Sequence, residues 1–149
     1  MRLSLWAASF AVLAGCAGAP DALDAKGSQF LFVWSGDKDK VQSDFLSVVD
    51  LREGSATYGD VVATAPIGAT GTMPHHVEYE FPAGGMLFGD GFTAGLTSLI
   101  DLRDPLNPKV AAQFRDMGAF AFPHSYARLD NGNVLVTLHD GRPVVEVID

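Results

Sequence analysis

Three of the four histidines in the chain fall in two short stretches, "MPHHVEYEF" at 73–81 and "FPHSYARL" at 122–129. His75, His76 and His124 each lie at or beside a proline–histidine step. Imidazole is the commonest protein ligand for zinc and copper, and three imidazoles can hold such an ion while leaving one position open. The three are therefore the candidate metal ligands, and Glu78 and Asp90 are the carboxylates that could orient their rings. The strand pleat sets a limit: neighbours such as His75 and His76 point to opposite faces unless a bulge intervenes. His139, in "TLHDG", lies at the end of a second strand before a turn and reads as a loop histidine outside the site. Arg128, near the end of its strand, reads as surface packing, with anion binding as the alternative.

Other chemistry is poorly represented. "FVWSGDKD" has no nucleophile elbow around Ser35. "GDKDKVQSDF" lacks the glycine and spacing of a calcium loop. "FPAGGMLFGDGF" has glycines but no following helix, so these are turn residues and not a phosphate loop. "GATGT" at 68–72 reads as a loop between units, bordering the mouth of the site. The net charge of −8 and the lack of a basic run exclude nucleic acid as a partner.

The elements that must position the histidines are strands. With 48% hydrophobic residues, 16 glycines and 8 prolines, the composition suits one globular core cut by many turns. From Gln29 onward, runs of β-branched and aromatic residues alternate with Gly, Asp, Pro and Asn. The runs are "QFLFVWS", "FLSVVDLR", "DVVATAPI", "HHVEYEF", "GMLFGDGF", "LTSLIDLR", "KVAAQFRD", "HSYARL", "NVLVTLHD" and "PVVEVID". No helices separate them, so parallel βαβ units are excluded.

The runs repeat. "VVDLR" starts at 48 and "LIDLRD" at 99, while "PHHVEYEF" starts at 74 and "PHSYARLD" at 123. A period of about 45–50 residues holding about four strands marks a β-propeller blade. The expected fold is all-β, a partial β-propeller of about two and a half four-stranded blades over 29–149. Each proline–histidine step would open the innermost strand of its blade, so that His75, His76 and His124 converge on the central channel. Because a propeller closes with ~4–8 blades, the expectation is a piece of a longer protein.

Residues 1–16 read as a signal peptide. Arg2 precedes an apolar run from Leu3 to Ala14, too short for the ~20 residues of a membrane-spanning helix. Leu13-Ala14-Gly15-Cys16 has the form of a bacterial lipobox, making Cys16 the lipidation site; an ordinary secretory cleavage a few residues on is the alternative. The expected place is the cell envelope, as an outer-membrane-anchored lipoprotein facing the periplasm. The lipid anchor is then the only membrane contact, and 17–28 form a flexible tether.

"HHVEYEFPAGGMLFGDGF", "SLIDLRDPLNPKVAAQF" and "FPHSYARLDNGNVLVT" together resemble the selenium-binding protein family, which includes methanethiol oxidases. His75 and His76 match its His-His pair and Phe88-Gly89-Asp90 its following strand. Phe122 and His124 match the start of its H-x-x-H stretch, with Leu129, Gly132 and Val134 continuing it. The resemblance covers about 29–140, the N-terminal part of a longer family chain. It implies a seven-bladed propeller, copper held by histidines, and oxidation of a small thiol. The second histidine of the H-x-x-H stretch is Ala127 here, and the family's reactive-cysteine segment has no counterpart. The alternative is a non-catalytic lipoprotein propeller that binds a small-molecule ligand or an envelope protein.

Overall fold

The computed structural model describes residues 29–118, 120–139 and 143–148. The signal peptide, Cys16 and the tether lie outside the described residues. Ten strands follow one another: β1 Phe30–Ser35, β2 Phe45–Asp50, β3 Val61–Pro66, β4 Pro74–Val77, β5 Met86–Gly91, β6 Leu96–Asp101, β7 Lys109–Phe114, β8 Pro123–Arg128, β9 Val134–His139 and β10 Pro143–Ile148. A 3-10 turn, Phe92–Ala94, separates β5 from β6 and is the one such turn among the described residues. The strands form three antiparallel sheets, β1-β2-β3, β4-β5-β6-β7 and β8-β9-β10, none of them closed among the described residues.

Each of the ten apolar runs carries a strand. One is shorter than its sequence suggests: in "HHVEYEF" the strand ends at Val77, with one more backbone bond from the Glu78 N–H to the Phe88 carbonyl at 3.2 Å. The Glu78 carboxylate takes the Phe88 N–H at 3.0 Å, a donor the sheet ladder would otherwise use, and the chain then turns into solvent, leaving Tyr79 98% exposed. The repeated "DLR" is a local fork. Asp50 accepts from the backbone N–H, Nε and Nη2 of Arg52 at 2.9, 2.8 and 2.7 Å, and Asp101 does the same with Arg103 at 3.1, 2.9 and 2.7 Å. The Arg103 guanidinium holds the Asp101 carboxyl down at about 2, and Arg52 holds Asp50 well below the usual carboxylate range. Each fork closes the strand that ends in Asp, β2 and β6.

The four-stranded sheet is the central layer, and alternation along its strands feeds two cores. Leu87, Leu96, Ile100 and Leu102 pack with Leu46, Val48, Ala65 and Ile67 of the first sheet. Phe88 packs on the other side with Met117, Tyr126, Val134, Val136 and Leu138. Both faces of β5 and β6 are covered, so their burial is nearly continuous, with Asp90, Thr97 and Ser98 buried among the apolar residues.

Polar contacts fix how the sheets face one another. Trp34 Nε1 donates to the Asp90 carbonyl at 2.7 Å. The Trp34 indole lies so close to Gly89 that a Cβ there would stand 3.0 Å from the ring, and the indole would have to shift to admit it. On the other side, the Thr97 and Tyr126 hydroxyls meet at 3.0 Å in a buried contact. Arg128 grips both oxygens of Glu78, Nε to Oε1 at 3.0 Å and Nη2 to Oε2 at 3.1 Å. The Glu78 side chain is 3% exposed and that of Arg128 36%. Arg128→Ala should cost about 2 kcal/mol in urea unfolding, below the ~3–5 kcal/mol of a fully buried pair because Arg128 is partly solvated. Glu78→Gln in the same chain should recover part of that loss, since no buried charge is then stranded.

Candidate metal centre

The pairing between β4 and β5 decides where the histidines point. Pro74 pairs with Gly91 and Val77 with Gly89, so two residues, His75 and His76, stand opposite one, Asp90. This is a β-bulge, and it removes the strict alternation of the pleat. Asp90 Oδ1 accepts both freed N–H groups, from His75 at 2.8 Å and from His76 at 2.9 Å. The two imidazoles consequently meet, with centroids 4.4 Å apart and planes at 85°.

The same device recurs one sheet on. Pro123 pairs with Leu138 and Tyr126 with Val136, leaving His124 and Ser125 opposite Thr137. Here the Thr137 hydroxyl stands in for the carboxylate, accepting the Ser125 N–H at 3.0 Å. Immediately before each proline the backbone is left-handed, at Met73 (φ 58°) and Phe122 (φ 60°). That conformation is costly for residues with a Cβ and persists where surrounding bonds enforce it. The Met73 carbonyl accepts the Phe92 N–H at 3.2 Å, and the Phe122 carbonyl accepts the His139 N–H at 3.0 Å. Below Met73, Thr72 is tied down by Asp44, whose Oδ2 accepts the Thr72 N–H at 2.6 Å and its hydroxyl at 2.7 Å.

These two bulges bring His75, His76 and His124 together. Ring centroids lie 4.9 Å apart for His75–His124 and 4.1 Å for His76–His124. One nitrogen from each ring falls within 4.8 Å of the others, with His75 exposed and the other two half-buried. Desolvation by burial, and then the neighbouring His75, lower the pKa of His76. Burial, and then His76, His75 and His139, lower that of His124. Both effects favour the neutral imidazole, the form that binds metal. The Ser125 hydroxyl engages His124 Nδ1 at 2.9 Å, which leaves Nε2 as the free donor. Three clustered imidazoles with no thiolate fit a copper or zinc ion.

The two carboxylates hold the site through the backbone and the sheet packing. Asp90 is fully buried and supports the bulge N–H groups. Its Oδ2 is the one buried side-chain polar atom without a partner among the described residues. Burial raises its pKa to about 6 against the opposing pull of the His76 and His75 N–H groups. The hydrogen bonds of the Glu78 carboxylate run to Arg128 and Phe88. Arg128, expected as surface packing, is thus the cation that ties two sheets together. Ala127 is exposed and pairs with Leu135.

His139 is the last residue of β9, at the strand end the sequence suggested, and its ring lies 6.2 Å from that of His124. Phe92 was overlooked. Its ring stands 5.5 Å from His75, 5.8 Å from His124, 6.0 Å from His139 and 5.5 Å from Phe122. Positions 92 and 139 hold equivalent places in successive units, each donating its N–H to the left-handed residue before a proline. Their spacing was a signal available in the repeat.

No protein-family model matches the chain, and no curated protein matches it. Among solved structures the chain is similar to the X-ray structure of a hypothetical selenium-binding protein from Sulfolobus tokodaii. The TM-score is 0.71 at 16% sequence identity, over 86% of this chain and 33% of that one. This chain thus spans about a third of the neighbour's length, and at that identity the likeness is one of fold.

Proposed function

We propose that this chain is the N-terminal part of an exported, selenium-binding-protein-like β-propeller that binds a copper-type ion on His75, His76 and His124 and oxidises a small thiol. The observation that carries the reading is the convergence of three imidazole nitrogens within 4.8 Å on two matching bulges. The distant relationship to the selenium-binding protein fold supports it, as does the successive stacking of sheets on shared cores. Copper, when bound, would supply a Lewis acid and a redox couple. The chain's own part is to hold the imidazoles in place, with Asp90 fixing the backbone of two and the Ser125 hydroxyl engaging Nδ1 of the third. Phe92 walls one side of the cluster. Cys16, as a lipid-modified first residue, would anchor the molecule to the envelope.

The test is elemental analysis after exposure to copper(II) and removal of the excess. One ion per chain is expected in the wild type and none after His124→Ala. A wild type that retains no metal sinks the metal reading and leaves a binding scaffold.

A further inference from the structure

The trio does not include every imidazole at this end of the sheets. His139 is exposed, lies one ring's breadth beyond His124, and flanks Phe92 from the far side. His139 stands outside the group whose nitrogens lie within 4.8 Å of one another, with its ring 6.2 Å from that of His124. Its position is fixed: the His139 backbone N–H is bonded to the Phe122 carbonyl at 3.0 Å, and the Phe92 ring limits the imidazole on one side.

We propose that His139 is a positioning residue for the small ligand that completes the site, donating a hydrogen bond to its outer end while the trio holds the ion. The class of ligand is a small anion or a deprotonated polar group, since an imidazole N–H offers a donor. Ser125 engages Nδ1 of His124, so His124 has no second nitrogen to spare for this task, and His139 is the ring that has. This inference rests on the reading of His75, His76 and His124 as a metal site.

The probe is azide, titrated into the copper(II)-loaded protein and followed by its charge-transfer absorption. His139→Ala should weaken azide binding about tenfold, the worth of one hydrogen bond to a charged group, while copper(II) affinity stays within about twofold. His139→Gln, which keeps an N–H donor, should restore part of the azide affinity. Unchanged azide binding in His139→Ala overturns the proposal. So does a fall in copper affinity as large as that of His124→Ala, because His139 would then be a ligand itself. If the wild type takes up no copper, the metal reading and this inference fall together, an outcome distinct from either of those.

Discussion

Asp90→Ala is expected to weaken copper(II) binding on the order of a hundredfold, at the upper end of what supporting residues around a metal contribute. Alanine leaves the N–H groups of His75 and His76 without their shared acceptor in a fully buried position. The bulge then has no bond to hold it, and the pleat would turn one imidazole away from the other. In the metal-free protein the same change should cost about 2 kcal/mol, from two stranded donors partly offset by removal of a buried charge. Asp90→Asn separates the two contributions, because its amide oxygen can still accept both N–H groups. Burial raises the Asp90 carboxyl from 3.8 to about 6 in the folded chain. The folded state therefore holds that proton more tightly than the unfolded one, and the contribution of Asp90 to stability falls as pH rises from about 4 to about 6. Urea unfolding of the metal-free wild type should show that slope, and Asp90→Asn should lack it. At pH 7 the asparagine variant should be more stable by on the order of 1 kcal/mol. The gain is smaller than the full ionisation penalty because its amide nitrogen inherits the unpartnered place of Oδ2. Equal loss of copper affinity in the alanine and asparagine variants would contradict this account.

Gly91→Ala should be the most damaging single methyl group near the site. A Cβ at Gly91 would stand 2.8 Å from Thr72 Cβ, 2.9 Å from Thr72 Oγ1 and 3.2 Å from Leu96 Cβ. These neighbours cannot step aside cheaply: Thr72 is 1% exposed and bonded twice to Asp44, and Leu96 is 2% exposed in the core. Overpacking and the loss of the Asp44 bonds together should cost about 3 kcal/mol. Displacing Thr72 also displaces Met73, whose carbonyl holds Phe92, so copper affinity should fall with stability. Gly95→Ala is the contrast. Gly95 has φ +59° but open space around its would-be Cβ, so only the conformational penalty of about 1 kcal/mol applies and the site should be untouched. Urea midpoints and copper titrations of both variants check the pair of expectations.

The strands were legible because their signals are local: β-branched and aromatic runs end at Gly, Asp and Pro, and the ten runs became ten strands. The gathering of His75, His76 and His124 was legible from the period of the repeat. The bulge was not, because it depends on the Asp90 carboxylate reaching across from a neighbouring strand to two backbone donors. The pairing of Glu78 with Arg128 was hidden for a similar reason, as the residues are separated by 50 positions and meet only when two sheets dock. The closeness of His139 to His124 was hidden because one strand alone shows only a histidine before a turn. Its place appears only when it is aligned with Phe92, and the two are 47 residues apart where the proline–histidine steps are 49 apart.

Adjacent ligands carry a thermodynamic advantage of their own. His75 and His76 follow one another in the chain, so presenting them as a pair closes no loop and adds almost no ordering cost beyond that of the bulge. The central sheet alone thus offers a two-toothed grip, and the third tooth arrives from the next sheet with His124. Metal affinity becomes a gauge of how firmly those two sheets dock. By mass action the ion should in turn tighten the docking, by RT ln(1 + [M]/Kd). A chain loosened at Glu78–Arg128 should then be clamped shut again by copper, with two distant changes meeting in one equilibrium.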